Sequence, residues 1–323
     1  MSLSIFSLLQ AVILTRALFV AADLTIAERL KERPMTAIEI AQETNAHEHA
    51  MGRLMRYLEL NGVFAKEPET DCYCLNDFSR TMCSDHPETI RPFLLHDDET
   101  RWNCYGHLKH SITTGTAAFD ALYGVDYFQY LKNHQQLSEQ FNDAMRIISA
   151  QEDALIARKI SFCNTVADIG GGIGQLITQI AASNTIDRGI LLDLPEVVAQ
   201  AGELPENCCA VAGSFFEPIT VDADIYTLKR ILHDWDDEHA IALLKNIKSA
   251  MRHDARLYIF DGILDYSQDK KLLASIDLAL LAIFKGAERT KAEFEHIIEQ
   301  AGLEIVSIEP IGDVLCAIQC KAA

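Results

Sequence analysis

The sequence predicts an α/β fold: a mostly parallel seven-stranded sheet with helices on both faces, preceded by an α-helical module that ends in a short hairpin. Three features carry this expectation. From Thr165 onward, short apolar runs alternate with helix-length segments, the texture of a sheet fed by crossover helices. Before that point helical periodicity dominates. Hydrophobic residues make up 49% of the 323 positions and charged ones 23%, ample material for packed cores and unlike a disordered chain.

At the start of the chain, Ile5, Leu8, Leu9, Ile13, Leu14 and Leu18 recur at roughly helical spacing. The run lacks a basic start and is interrupted by Gln10, Thr15 and Arg16, so neither a signal peptide nor a membrane span is expected. It suits a helix buried against another surface, a second subunit included. A second helix is predicted over 22–30, ending near Arg33-Pro34. Thr36 opens a third, with Glu39 completing a capping box. A fourth runs over 47–61, with Met51, Leu54, Met55 and Leu58 apolar, and stops at Asn61-Gly62. Two short β-like runs at 63–65 and 72–75 flank a polar turn. Helix, helix, hairpin is the order of a winged helix. Phosphate contact needs a basic footprint, yet the presumed recognition helix carries Glu48 and Glu59 as well as Arg53 and Arg56, and the wing carries Lys66 against Glu67, Glu69 and Asp71. With a net charge of −19, neither nucleic acid nor an anionic membrane is an expected partner; a structural or dimerising role is.

Residues 86–160 read as helical and aromatic-rich, for packing and for lining an apolar pocket. The chain therefore divides into a winged-helix-like module (1–85), a helical linker and pocket segment (86–160) and the sheet domain (161–323). Strands are predicted at 166–169, 189–193, 209–212, 224–228, 257–261, 304–308 and 315–319. The link between the last two is too short for a parallel crossover, so they pair antiparallel. Nine cysteines without a secretory signal fit a reducing, cytoplasmic location. The Cys72/Cys74 and Cys208/Cys209 spacings match no zinc knuckle, and no metal is expected.

The first strand of the sheet runs into Asp168-Ile169-Gly170-Gly171-Gly172-Ile173-Gly174, followed by helix-forming residues. Glycines allow close backbone approach to a ligand, and the next helix points its N-terminal amides at the same place. Gln175 stands where a dinucleotide fingerprint wants glycine or alanine, and no Lys-Ser/Thr follows, which excludes a P-loop. Asp168 would repel a pyrophosphate and attract a cationic amine or sulfonium. The next strand ends at Asp193, about 20 residues past the loop, where a carboxylate can hold both ribose hydroxyls. S-adenosylmethionine, a cation carrying a ribose, satisfies both conditions.

After the fourth strand comes Leu228-Lys229-Arg230-Ile231-Leu232-His233-Asp234-Trp235-Asp236-Asp237-Glu238. Together with the glycine loop, Asp193-Leu194-Pro195 and Glu288-Arg289-Thr290, it resembles the small-molecule O-methyltransferases of the plant caffeate and hydroxyindole type. Its wording is closest to bacterial members that modify aromatic natural products, and the resemblance covers nearly the whole chain. It implies a Rossmann-like methyltransferase sheet behind a winged-helix dimerisation domain, a homodimer, S-adenosylmethionine as donor with S-adenosylhomocysteine as product, and a small hydroxylated acceptor. His233 then matches the general base and Glu288 the carboxylate that orients it. Ser149, Asp168, Gly170, Gly172, Gly174, Asp193, Leu194, Ser214, Phe215 and Lys229 match cofactor positions, Phe215 flanking adenine. Met145 matches a pocket position near the transferred methyl; Trp102, Asn142, Asp234 and Leu280 complete the substrate candidates.

The chain departs from the family in three places. Ser214 replaces an aspartate, Leu280 a methionine, and Gln319 a second glutamate near the histidine, which would leave Glu288 alone in that role. The chemistry is coherent, because a phenol of pKa roughly 10 needs a base to become a nucleophile and an imidazole of pKa roughly 6.5 is one. Competing readings are a relative with hydroxylase, decarboxylase or N-methyltransferase chemistry, a nicotinamide oxidoreductase, and a ligand-sensing DNA-binding regulator. A metal site among His233, Asp234, Asp236, Asp237 and His239 is disfavoured, because acids at a helix start usually cap it.

Overall fold

A computed structural model describes residues 4–284 and 286–323. The chain folds as two units: Met1–Trp102 with Leu131–Ile147, and Asn103–Tyr130 with Ile148–Ala323.

In the first unit, α1 (Ile5–Asp23), α2 (Ile26–Glu32), α3 (Ala37–Glu43) and α4 (Glu48–Leu60) precede an antiparallel hairpin of β1 (Ala65–Lys66) and β2 (Tyr73–Cys74). The helix expected over 22–30 is divided, because Thr25 takes a left-handed φ of 53° and breaks the run. The capping box at α3 forms as predicted: the Glu39 amide donates to Thr36 Oγ1 and the Thr36 amide to Glu39 Oε2. Ile26, Met35, Ile40, Met55, Leu58 and Phe64 make the core. Of α1, only Ala17, Ala21 and Ala22 are buried, whereas Phe6 is 73% exposed and Ile13 59%.

The second unit holds the seven-stranded sheet. Its strands are β3 (Thr165–Ile169), β4 (Arg188–Asp193), β5 (Cys208–Ala212), β6 (Ile225–Lys229), β7 (Arg256–Gly262), β8 (Leu303–Pro310) and β9 (Leu315–Ala322). They lie in the order β5-β4-β3-β6-β7-β9-β8. β3 to β7 run parallel, and β9 is antiparallel to both neighbours, as the short link required. The chain builds outward from β3 in one direction with β4 and β5, then returns to add β6 and β7 on the other side. The strand order thus reverses at β3, and ligands of open α/β sheets bind outside the carboxyl ends of the strands at such a point. Apolar side chains cover both faces: Leu228, Leu243, Ile247 and Phe294 on one, Ile177, Ile180, Phe260 and Ile311 on the other. Fully burying one such side chain contributes roughly 1.5–3 kcal/mol, so the faces hold the strand ends in fixed register. Phe119, Tyr127 and Phe284 pack edge-on at centroid distances of 5.1 and 5.2 Å, joining the helices Ala118–Tyr123 and Lys270–Ile283.

Candidate active site

The glycine loop leaves β3 with Gly170, Gly172 and Gly174 at φ of 69°, 61° and 86°, a path closed to most side chains. Gly171 is required for space: a Cβ there would lie 2.3 Å from Asp168 Oδ2. The Gly172 amide donates to Asp193 Oδ2 at 2.7 Å and the Leu194 amide to Oδ1 at 2.7 Å, so Asp193 spans loop and strand end. Phe215 flanks the loop; a Cβ on Gly170 would be 3.2 Å from its ring. Ser214 accepts a hydrogen bond from the Phe216 amide. Asp168 is buried, accepts from Thr227 Oγ1 at 2.8 Å through Oδ1, and keeps Oδ2 without a partner. Burial pushes its carboxyl up to about 7, against the pull of the Thr227 hydrogen bond.

At the end of β6, Lys229 Nζ pairs with buried Asp153, whose Oδ2 has no hydrogen-bond partner. Ser149 sits one turn earlier on the same helix, Gln135–Lys159, half-buried. Arg230 binds Glu152 through two hydrogen bonds, of 3.2 and 2.5 Å. Asp168, Asp193, Phe215 and Lys229 therefore meet at the carboxyl edge of the sheet, where a ribose, an aromatic ring and a cationic amino-acid head would each find a partner.

The chain then makes one 3₁₀ turn, Leu232–Asp234, that presents His233. The imidazole is buried, with Nδ1 3.0 Å from Glu288 Oε1 and 3.5 Å from Asp261 Oδ1, and Nε2 3.7 Å from Asp234 Oδ1. Burial alone would push the imidazole down; Asp261, Asp234 and Glu288 outweigh it and hold it up, to about 9. Asp261 is fully buried, neither oxygen hydrogen-bonded, and burial raises its carboxyl too, with His233 opposing. The donor atoms of His233, Asp261 and Glu288 lie within 4.8 Å of one another, the one metal-compatible group among the described residues. Asp236 caps the helix Asp237–Ala250 by accepting from the His239 amide, the capping role expected of these acids.

Asp261 is the residue that sequence reasoning missed. Gln319, expected near the histidine, instead stands in β9 opposite Tyr258 of β7 and accepts from Ser307 Oγ. The second carboxylate comes from the end of β7, so Glu288 is not alone. A signal existed: Asp261 closes the apolar run Leu257-Tyr258-Ile259-Phe260 at a carboxyl strand end. Leu280 is buried on the helix Lys270–Ile283. Trp102, Asn142 and Met145 belong to the first unit, Trp102 lying under the Arg16 guanidinium at 5.0 Å.

The family model described as an O-methyltransferase domain matches residues 105–304, and one described as an O-methyltransferase dimerisation domain matches 6–85. The mitomycin biosynthesis 6-O-methyltransferase of Streptomyces lavendulae is 34% identical over 314 residues, 94% of this chain and 90% of that protein. The 8-amino-8-demethylriboflavin N,N-dimethyltransferase of Streptomyces davaonensis is 29% identical, covering 94% of this chain and 90% of its own length. Among solved structures, the mitomycin 7-O-methyltransferase MmcR superposes with a TM-score of 0.92 at 32% identity, covering 99% of this chain and 97% of that one. NcsB1, from neocarzinostatin biosynthesis, was solved with S-adenosylmethionine and 2-hydroxy-5-methyl naphthoic acid; it superposes at 0.84 with 28% identity over 96% of each chain. Joined to the glycine loop and the carboxylate-flanked imidazole, these matches mean that the chain belongs to the O-methyltransferase family, its dimerisation domain ahead of its methyltransferase domain.

Proposed function

We propose that this protein transfers a methyl group from S-adenosylmethionine to a phenolic hydroxyl of a small aromatic molecule, with His233 as general base held by Glu288 and Asp261, and that it works as a homodimer. The observation that carries the reading is the buried imidazole 3.0 Å from Glu288, in the same unit as a glycine loop tied to Asp193. The residues present fit the donor: Asp168 keeps a buried oxygen unpartnered beside the loop, Asp193 would hold the ribose hydroxyls, Ser214 and Phe215 would border the adenine, and Lys229 with Ser149 would hold the amino-acid end.

When bound, S-adenosylmethionine supplies a methyl already activated by its sulfonium. The chain's own residues deprotonate and align the acceptor. The acceptor's proton passes to His233 Nε2 while Nδ1–H stays donated to Glu288, and the imidazolium that forms has two carboxylates, Glu288 and Asp261, on its Nδ1 side. An imidazole near 9 lies close to a phenol's roughly 10, so the transfer is nearly balanced and base catalysis can contribute roughly 10²–10⁴-fold. Alignment and exclusion of water supply the rest. Leu280 and the substrate candidates Trp102, Asn142, Met145 and Asp234 are proposed to shape acceptor choice.

The test is a mass-spectrometric screen of hydroxylated aromatics, each with its amine counterpart, in the presence of S-adenosylmethionine. Methylated phenols are expected and amines left untouched. His233→Ala should abolish turnover while S-adenosylhomocysteine binds within about threefold of normal. Undiminished turnover in that variant overturns the assignment of the base, and methylation of amines alone overturns the phenol.

A further inference from the structure

Arg289 is buried at 4% exposure, yet none of its hydrogen bonds reaches a side chain of the imidazole cluster. Its guanidinium grips the main chain of the His233 segment instead. Nη1 donates to Leu232 O at 2.6 Å, the residue before the histidine. Nη2 donates to Trp235 O at 2.7 Å, two residues after it. Nε donates to Asp237 Oδ1 at 2.9 Å, where the next helix begins.

The main chain of the same residue is tied to the strand that carries the second carboxylate. The Leu264 amide donates to Arg289 O at 3.0 Å, and Ile263 bridges Arg289 just past β7 and Asp261. Its neighbour Glu288 receives the imidazole. Upstream, Gly286 lies so close that a Cβ there would sit 1.8 Å from His233 O.

We propose that Arg289 is a positioning residue for the base: its guanidinium fixes the backbone on both sides of His233 and so keeps the imidazole in register with Glu288 and Asp261. This rests on the reading of His233 as the base. The physical need is plain. A lone 3₁₀ turn is a weak support, flanked here by Arg230 at a left-handed φ of 52° and by extended Trp235. A planar fork can hold three acceptors at once, whereas an ammonium is a single point on a flexible stem. The charged groups facing His233 are Asp234 on its own turn, Asp261 from β7, and Glu288; Arg230 faces Asp261 and Glu288 from beyond them. Arg289 itself faces Asp237.

The test reads the imidazole directly and needs no acceptor. The ring nitrogens of His233 are followed by NMR through a pH titration, assigned by their loss in His233→Asn. Wild type, Arg289→Lys and Arg289→Gln are compared with S-adenosylhomocysteine saturating, which also stabilises the fold. The signs separate the explanations. Removing a cation by electrostatics alone moves the imidazole pKa up, while loosening its contact with Glu288 and Asp261 moves it down. Both variants are expected to titrate about one unit lower than wild type, a tenfold change in acidity, with S-adenosylhomocysteine affinity within about threefold. A wild-type or higher pKa in Arg289→Lys overturns the proposal. So does loss of S-adenosylhomocysteine binding in that variant, because Arg289 would then hold the fold at large. Failure of the wild-type protein to bind S-adenosylhomocysteine would instead sink the methyltransferase reading and leave the titration result standing.

Discussion

At the scale of single residues, the site depends on what three carboxylates do to one imidazole. Burial opposes the charged form of His233, but Asp261, Asp234 and Glu288 outweigh it, so the ring stays protonated well above its ordinary range. A base must be neutral to work. In a group raised to about 9, the neutral fraction grows as pH climbs, so kcat/KM should rise across pH 7 to 9 instead of levelling off above 6.5. Asp261→Asn removes one of the charges and should move the rising limb down by about one unit, with a lower plateau because the imidazolium loses a partner. A pH–rate profile checks both, and an unmoved limb in Asp261→Asn would mean that strand β7 carries no share of the base. Asp168 gives a dependence of the same sign at lower pH. Its carboxyl, raised to about 7 by burial, is charged above that pH and neutral below it, so affinity for the cationic donor should weaken as pH falls from 8 to 6. Calorimetry would show this in the wild type and a nearly flat response in Asp168→Asn.

At the scale of elements, the loop after β3 shows how little room the chain leaves. Gly171 has an ordinary φ, yet a Cβ there would strike Asp168 Oδ2 at 2.3 Å and Leu191 Cδ1 at 2.7 Å. Gly171→Ala should therefore lose about 1–3 kcal/mol by overpacking and weaken donor binding by tenfold or more, measurable by thermal melting and calorimetry. Unaltered binding would show that the loop yields without disturbing Asp168 or Asp193. The same scale explains what the sequence could disclose. The strands β3, β4, β6, β7 and β9 were readable because each is a largely apolar run of mostly buried residues, and the β8–β9 pairing because a short link forbids a crossover. Asp193, His233 and Glu288 stand inside short contiguous motifs, so local wording exposes them. Asp261 is brought to His233 only by the pairing of β6 with β7, and Gln319 is carried away by the register of β9; neither fact exists in a local window. The break between α1 and α2 was hidden too, because a left-handed threonine has no sequence signature as strong as glycine's.

At the scale of the whole molecule, the telling feature is a helix that leaves its apolar side uncovered. Ile5, Phe6, Leu9, Val12 and Ile13 of α1 are each more than half exposed, and the dimerisation-domain match spans residues 6–85. By length and composition alone this helix could also cross a membrane, so the two occupants must be told apart. A second copy of the chain would account for the exposed side: covering one such side chain contributes roughly 1.5–3 kcal/mol, so several together would suffice for a stable pair. Leu9 and Ile13 lie one turn apart on one face, so aspartate at both would bury two unpaired charges in the interface. Leu9→Asp with Ile13→Asp should raise the dimer dissociation constant at least 100-fold and give monomers at micromolar concentration in sedimentation experiments. The net charge of −19 adds a second lever: like-charged copies repel, salt screens the repulsion, and wild-type association should tighten as ionic strength rises. A double variant that remains dimeric would place the interface elsewhere. Wild-type chains that stay monomeric and co-float with neutral lipid vesicles would give the exposed side of α1 to the bilayer.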